Sequence, residues 1–83
     1  MPLFLDSHIL PAGVTAEMVA EAHAKDIAIE ATYGVRYLKY WYDATRGRAF
    51  CLVLAPSKEA AMAVHQASTG EQPDDIFEVQ EFE

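Results

Sequence analysis

One cysteine, Cys51, occurs in 83 residues. An internal disulfide framework is therefore excluded, and the chain fits a reducing cytosol. Bases are scarce: six Lys and Arg stand against 13 Asp and Glu, for a formal net charge of −7. Nucleic-acid binding needs Lys and Arg to displace counterions from phosphates, so that balance argues against it. Docking on an anionic membrane surface is disfavoured for the same reason. No apolar run approaches the roughly 18 residues of a transmembrane helix. The first six residues, Met1-Pro2-Leu3-Phe4-Leu5-Asp6, lack a basic segment and reach an acid early, unlike a signal peptide. A cytoplasmic protein is the expectation. The four glycines are isolated, so no Gly-rich phosphate loop exists, and Gly-x-Ser-x-Gly is missing. Cys-x-x-Cys, His-Glu-x-x-His and His-x-x-x-His are missing as well.

What is present reads as a folded chain. Hydrophobic residues make up 52% and charged residues 23%, a globular rather than disordered balance. The length fits one domain spanning 1–83. A chain this short buries only roughly 60–65% of its unfolded surface, so a monomer would be marginal. Charge is uneven. Glu71, Asp74, Asp75, Glu78, Glu81 and Glu83 crowd the C-terminus, while Arg36, Lys39, Arg46 and Arg48 lie mid-chain.

Pro2 to His8 is short and apolar and predicts a strand, ended by Pro11-Ala12-Gly13. Thr15 is placed to cap a helix from Ala16 to about Tyr33, with Glu17 and Glu21 near its positive end and Gly34 at a left-handed stop. One face of that helix carries Val19, His23, Asp26, Ile27 and Glu30. The aromatic run Val35 to Asp43 and the segment Arg48 to Ala55 predict a hairpin around Ala44-Thr45-Arg46-Gly47. Ser57 caps a second helix, Lys58 to about Ser68, whose stripe is Ala61, Val64, His65 and Ser68. Gly70 ends it, and Ile76 to Phe82 alternates as a last strand.

The order β-α-β-β-α-β around a tight central hairpin is the ferredoxin-like, split βαβ pattern of an α+β protein. A four-stranded antiparallel sheet then carries both helices on one face. A four-residue hairpin loop sets Tyr42 opposite Ala49, Tyr40 opposite Cys51 and Leu38 opposite Val53. Trp41 faces Phe50, Lys39 faces Leu52 and Tyr37 faces Leu54. Opposed residues share a face, so Tyr37, Trp41, Phe50, Leu52 and Leu54 fall together on the uncovered one. An apolar patch of that kind predicts self-association through the sheet as a two-fold homodimer.

The candidate chemistry lies in three histidines, two carboxylates and the cysteine. Asp6-x-His8 puts a carboxylate and an imidazole on one side of a strand, and His23-x-x-Asp26 puts the same pair on one helix face. Ni(II), Zn(II) and Cu(II) accept imidazole nitrogen with carboxylate oxygen. A carboxylate can instead orient the ring from behind. Each residue also has a plain role. His23 and His65 can be packed helix residues, Cys51 a small buried hydrophobe, and the acidic tail a strand edge guarded against pairing.

The motifs in order are Phe4-Leu5-Asp6-x-His8, Ala22-His23-x-x-Asp26, Tyr33-Gly34-Val35, Tyr40-Trp41-Tyr42-Asp43, Gly47-Arg48-Ala49-Phe50-Cys51-Leu52, Pro56-Ser57-Lys58-Glu59-Ala60 and Val64-His65. In this series the chain resembles the small bacterial nickel-binding proteins, formerly a domain of unknown function. The resemblance covers nearly the whole length. It implies a ferredoxin-like homodimer holding Ni(II) in histidine-containing sites. His8, His23 and His65 become the leading ligands, with Asp6 and Asp26 as carboxylates and Cys51 as a further position.

Strand parity leaves two arrangements open. If Leu3 and Leu5 point to the helices, Asp6 and His8 lie on the far face, away from His23 and His65. If Asp6 and His8 point inward, all three histidines and Cys51 can converge. The leading function is divalent-metal binding without catalysis, for sequestration, storage or sensing. The alternatives are a cofactor-free small-molecule enzyme, with Asp6, His8 and Tyr40 as acid–base groups, and an interaction module using the open sheet face.

Overall fold

The computed structural model describes residues 1–83. Its elements run β1 (Leu3–Ile9), α1 (Ala16–Ile29), a short 3-10 turn (Glu30–Tyr33), β2 (Arg36–Asp43), β3 (Arg48–Leu54), α2 (Lys58–Ser68) and β4 (Asp75–Val79). The four strands form one antiparallel sheet in the order β2-β3-β1-β4. This is the ferredoxin-like α+β arrangement, with β1 and β3 in the centre. No helix is long and apolar enough to cross a membrane.

Local chemistry explains the boundaries. Thr15 is extended and its hydroxyl accepts from the Met18 amide; Ser57 does the same for Ala60. The first helix tightens into the 3-10 turn after Ile29 rather than staying α-helical to Tyr33. Gly34 then reverses the chain at φ 68°, a left-handed position that a side chain resists. In the hairpin, Asp43 accepts from the Arg46 amide and pairs with its guanidinium at 3.0 Å.

Two further expectations need correction. The last strand stops at Val79 instead of reaching Phe82. Val79 pairs with Leu3, and the next position would meet Pro2, which has no amide to donate. The hairpin register holds from Lys39–Leu52 to Tyr42–Ala49, but a bulge at Leu38 changes what precedes it. Tyr37 lies opposite Val53, and Arg36 opposite Leu54. The extra residue exchanges the two faces. Tyr37 is buried beneath the helices, and Leu38 is the residue left outside, 40% exposed.

Phe4, Val35, Tyr37, Cys51, Val53, Ala55, Ala61 and Val64 form the buried cluster between sheet and helices. Phe4, Asp6 and His8 alternate toward that layer, and Asp6 is fully buried. Leu3 and Leu5 therefore lie on the other face, where Leu5 sits opposite Leu52 and Phe77.

Candidate metal centre

β1 sets the site. Two residues beyond Phe4 on the same face comes Asp6, and two further comes His8. Asp6 lies opposite Cys51 on β3 and Ile76 on β4, in the middle of the sheet. The parity left open by the sequence is thus the inward one. From above, α2 lowers His65 onto Asp6 and α1 lowers Asp26 beside it.

The result is a chain of polar contacts. His8 Nε2 lies 3.1 Å from Asp6 Oδ1, and His65 Nε2 lies 2.8 Å from Asp6 Oδ2. The opposite nitrogen of His65, Nδ1, is 3.4 Å from Asp26 Oδ2. The Ser68 hydroxyl donates to the other Asp26 oxygen. Tyr37 Oη stands 3.3 Å from His65 Nε2. His65 therefore sits between two carboxylates and is itself only 3% exposed. A carboxylate at each ring nitrogen favours the charged imidazolium.

Charges follow the contacts. Burial opposes a charge on His65, but its bonds to Asp26 and Asp6 prevail and raise its pKa to about 9. Burial also pushes Asp6 upward, yet the hydrogen bonds from His65 and His8 outweigh it and hold the carboxyl below its usual range. Burial raises the Cys51 thiol, and the negative charges of Asp6 and Asp26 add to that. Cys51 is a protonated thiol in the metal-free chain. Burial lowers the pKa of His23, against the pull of Asp26 and Glu30.

Three potential donors come close together. One ligand atom each from Asp6, His8 and Cys51 lie within 4.8 Å of one another. His8 and Cys51 line a cavity of roughly 370 Å³ between α1, the sheet and the loop before α1, while Asp6 is fully buried and outside that lining. Ala49 and Ala22 are too small to fill it. The Tyr42 hydroxyl donates to the Val14 carbonyl at 3.0 Å and ties the loop down.

Of the six residues singled out by sequence, the structure brings five into contiguity: Asp6, His8, His65, Asp26 and Cys51. His23 stands at the cavity wall, its ring 4.3 Å from that of Tyr40, outside the hydrogen-bonded chain. Its Nδ1 is buried with no hydrogen-bond partner. Sequence reasoning missed Tyr37 and Ser68. The bulge hid Tyr37. Ser68 was visible on the His65 stripe of α2, three residues on, and the short polar side chain beside Asp26 was the available signal.

No curated protein matches the chain. Among solved structures, the chain is similar to the crystal structure of SCO4226 from Streptomyces coelicolor A3(2), at 33% identity and a TM-score of 0.89. The match covers 98% of this chain and 99% of that one. Residues 4–79 match the model of a family described as nickel responsive protein SCO4226-like. The chain belongs to the SCO4226-like nickel responsive family.

Proposed function

We propose that the chain binds a divalent transition ion, Ni(II) foremost, at the cavity floor, and holds it without catalysing a reaction. Asp6, His8 and Cys51 are the inner ligands of this reading, with His65, Asp26 and His23 as adjoining donors. The approach of three different donor atoms to within 4.8 Å carries it. Carboxylate oxygen, imidazole nitrogen and thiolate sulfur together suit the borderline ions nickel, zinc and copper. The nickel responsive family description supports Ni(II) as the first of them to test. Cys51 would have to lose its proton, which a bound dication favours. Sequestration, storage and sensing all use such a site.

The proposal includes one domain, a cytoplasmic location and a homodimer joined through the open sheet face. Trp41 is 46% and Phe77 55% exposed on that face, beside Leu3, Leu5 and Leu52. A second copy covering them would supply burial that a chain of this size lacks. Sedimentation should give twice the chain mass; a monomer would refute the dimer.

Calorimetric Ni(II) titration near neutral pH tests the metal reading. Stoichiometric binding is expected, with loss in Asp6→Asn and His8→Ala. No binding, or binding untouched in both variants, overturns it. A second reading, cofactor-free small-molecule catalysis, draws on the same cavity, with His65 between Asp6 and Asp26 as its acid–base group. Turnover that survives chelation of metal would favour that one.

A further inference from the structure

The cavity is much larger than a metal ion requires. Its volume of roughly 370 Å³ equals on the order of a dozen waters at about 30 Å³ each. An ion and its remaining water ligands would occupy a minority of that. The lining also divides. Donor groups of His8, Asp26, Cys51 and His65 lie at the floor, while Leu10, Val14, Met18, Val19 and Ala22 form an apolar wall. A bare hydrated ion gains nothing from an apolar wall. Cavities of a few hundred Å³ with apolar walls and a few convergent polar groups are the form of small-molecule sites.

We propose that the cavity takes a small organic ligand together with the metal. The metal sits on the floor, the ligand's apolar body lies along α1 and the Leu10–Val14 loop, and a donor atom of the ligand completes the metal's coordination. This inference rests on the metal reading above. Charge selects the donor. Asp6, Asp26 and a metal-bound Cys51 thiolate bring three negative charges to a buried floor, and a divalent ion together with the charged His65 cancels them. An anionic headgroup would add an unbalanced buried charge. The ligand class is therefore a neutral nitrogen donor, such as an imidazole- or pyridine-type ring, on a compact apolar body. His23 and Tyr40, their rings 4.3 Å apart and tilted at 36°, line the cavity and offer aromatic surface against which such a ring can pack.

Phenylimidazole is the probe, with phenylacetate as its anionic counterpart, titrated by calorimetry into metal-free and Ni(II)-loaded protein. Phenylimidazole should bind the loaded protein at least tenfold tighter than the metal-free one. By linkage it should tighten Ni(II) binding by the same factor. Phenylacetate should gain less from Ni(II). Ala22→Leu, which fills the wall, and Met18→Trp, at a half-exposed helix position, should each weaken phenylimidazole tenfold or more and leave Ni(II) binding alone unchanged. If Ni(II) binds but phenylimidazole shows no coupling to it, or binds both variants undiminished, the inference fails and the metal reading stands. Equal coupling for phenylacetate overturns the neutral-donor assignment. If Ni(II) does not bind, the metal reading fails and takes this inference with it.

Discussion

Two halves of one buried layer differ sharply in character. Toward one end, Phe4, Val53, Ala61 and Val64 pack as an apolar core. Toward the other, Asp6, His65, Asp26 and His8 form an ionic chain beside a cavity. The same elements carry both. β1 passes from Phe4 to Asp6 in two residues, and α2 passes from Val64 to His65 in one. Burial does not separate the halves, since Val53, Val64 and Asp6 are all fully buried. The difference lies in what satisfies each group. Apolar side chains are satisfied by contact alone, whereas each buried charge requires a named partner. An isolated Asp6 would be intolerable in that position; between His8 and His65, each of which meets one of its oxygens, it is stable.

Replacing adjacent residues of α2 breaks the comparison most strongly. His65→Ala leaves Asp6 and Asp26 buried without their shared counter-charge, and about 3–5 kcal/mol of stability should be lost. Val64→Ala removes only apolar contact and should cost about 2 kcal/mol, from the lost methyl groups and a small cavity. Urea unfolding measures both. Ni(II) titration separates them further: His65→Ala should lower affinity tenfold or more, while Val64→Ala should stay within about twofold. Equal effects of the two variants on Ni(II) affinity would erase the distinction between the halves.

The pH dependence should be next in size. With a folded pKa of about 9, His65 contributes stability that is complete below its unfolded value of 6.5 and lost as pH rises through about 9. The full contribution is on the order of 3 kcal/mol. Asp6, held below 3.8, contributes stability present above that value and lost as pH falls through its lower folded value. Metal-free protein should thus melt highest between 3.8 and 6.5. His65→Gln should flatten the alkaline decline, and Val64→Ala should lower the whole curve without changing its shape. Ni(II) must displace protons from its ligands, so the Ni(II)-induced rise in Tm should grow from pH 6.5 toward 9. A constant Ni(II) increment across that range would exclude His65 from the binding event.

The fold was largely legible because its signals are local. Thr15, Gly34, Ser57 and Gly70 mark the ends of the helices, and the order of elements leaves one economical topology. The cluster was legible as a set of residue types, since Asp and His at alternate strand positions have no apolar reason to be there. Its geometry was not legible. The inward parity of β1 depends on which face of Leu-Phe-Leu the helices cover, and both faces are apolar there. The bulge at Leu38 was equally hidden, because an aromatic run such as Tyr37 to Tyr42 pairs plausibly in either register. That single inserted residue decided whether Tyr37 belonged to the open face or to His65.

Tyr37 is the residue that spans both halves, and it gives the finest test. Its ring packs in the apolar cluster, and its hydroxyl stands 3.3 Å from His65 Nε2. Tyr37→Phe keeps the ring and deletes only the contact across the boundary. One hydrogen bond of this kind contributes about 1 kcal/mol, and His65 retains both carboxylates. Unfolding should therefore shift by about that amount, with Ni(II) affinity changed less than tenfold. Tyr37→Leu removes ring and hydroxyl together and should cost clearly more in stability. If Tyr37→Phe instead matched the loss seen in His65→Ala, the ionic chain would depend on the hydroxyl as a full partner, and the boundary between the halves would move to include it.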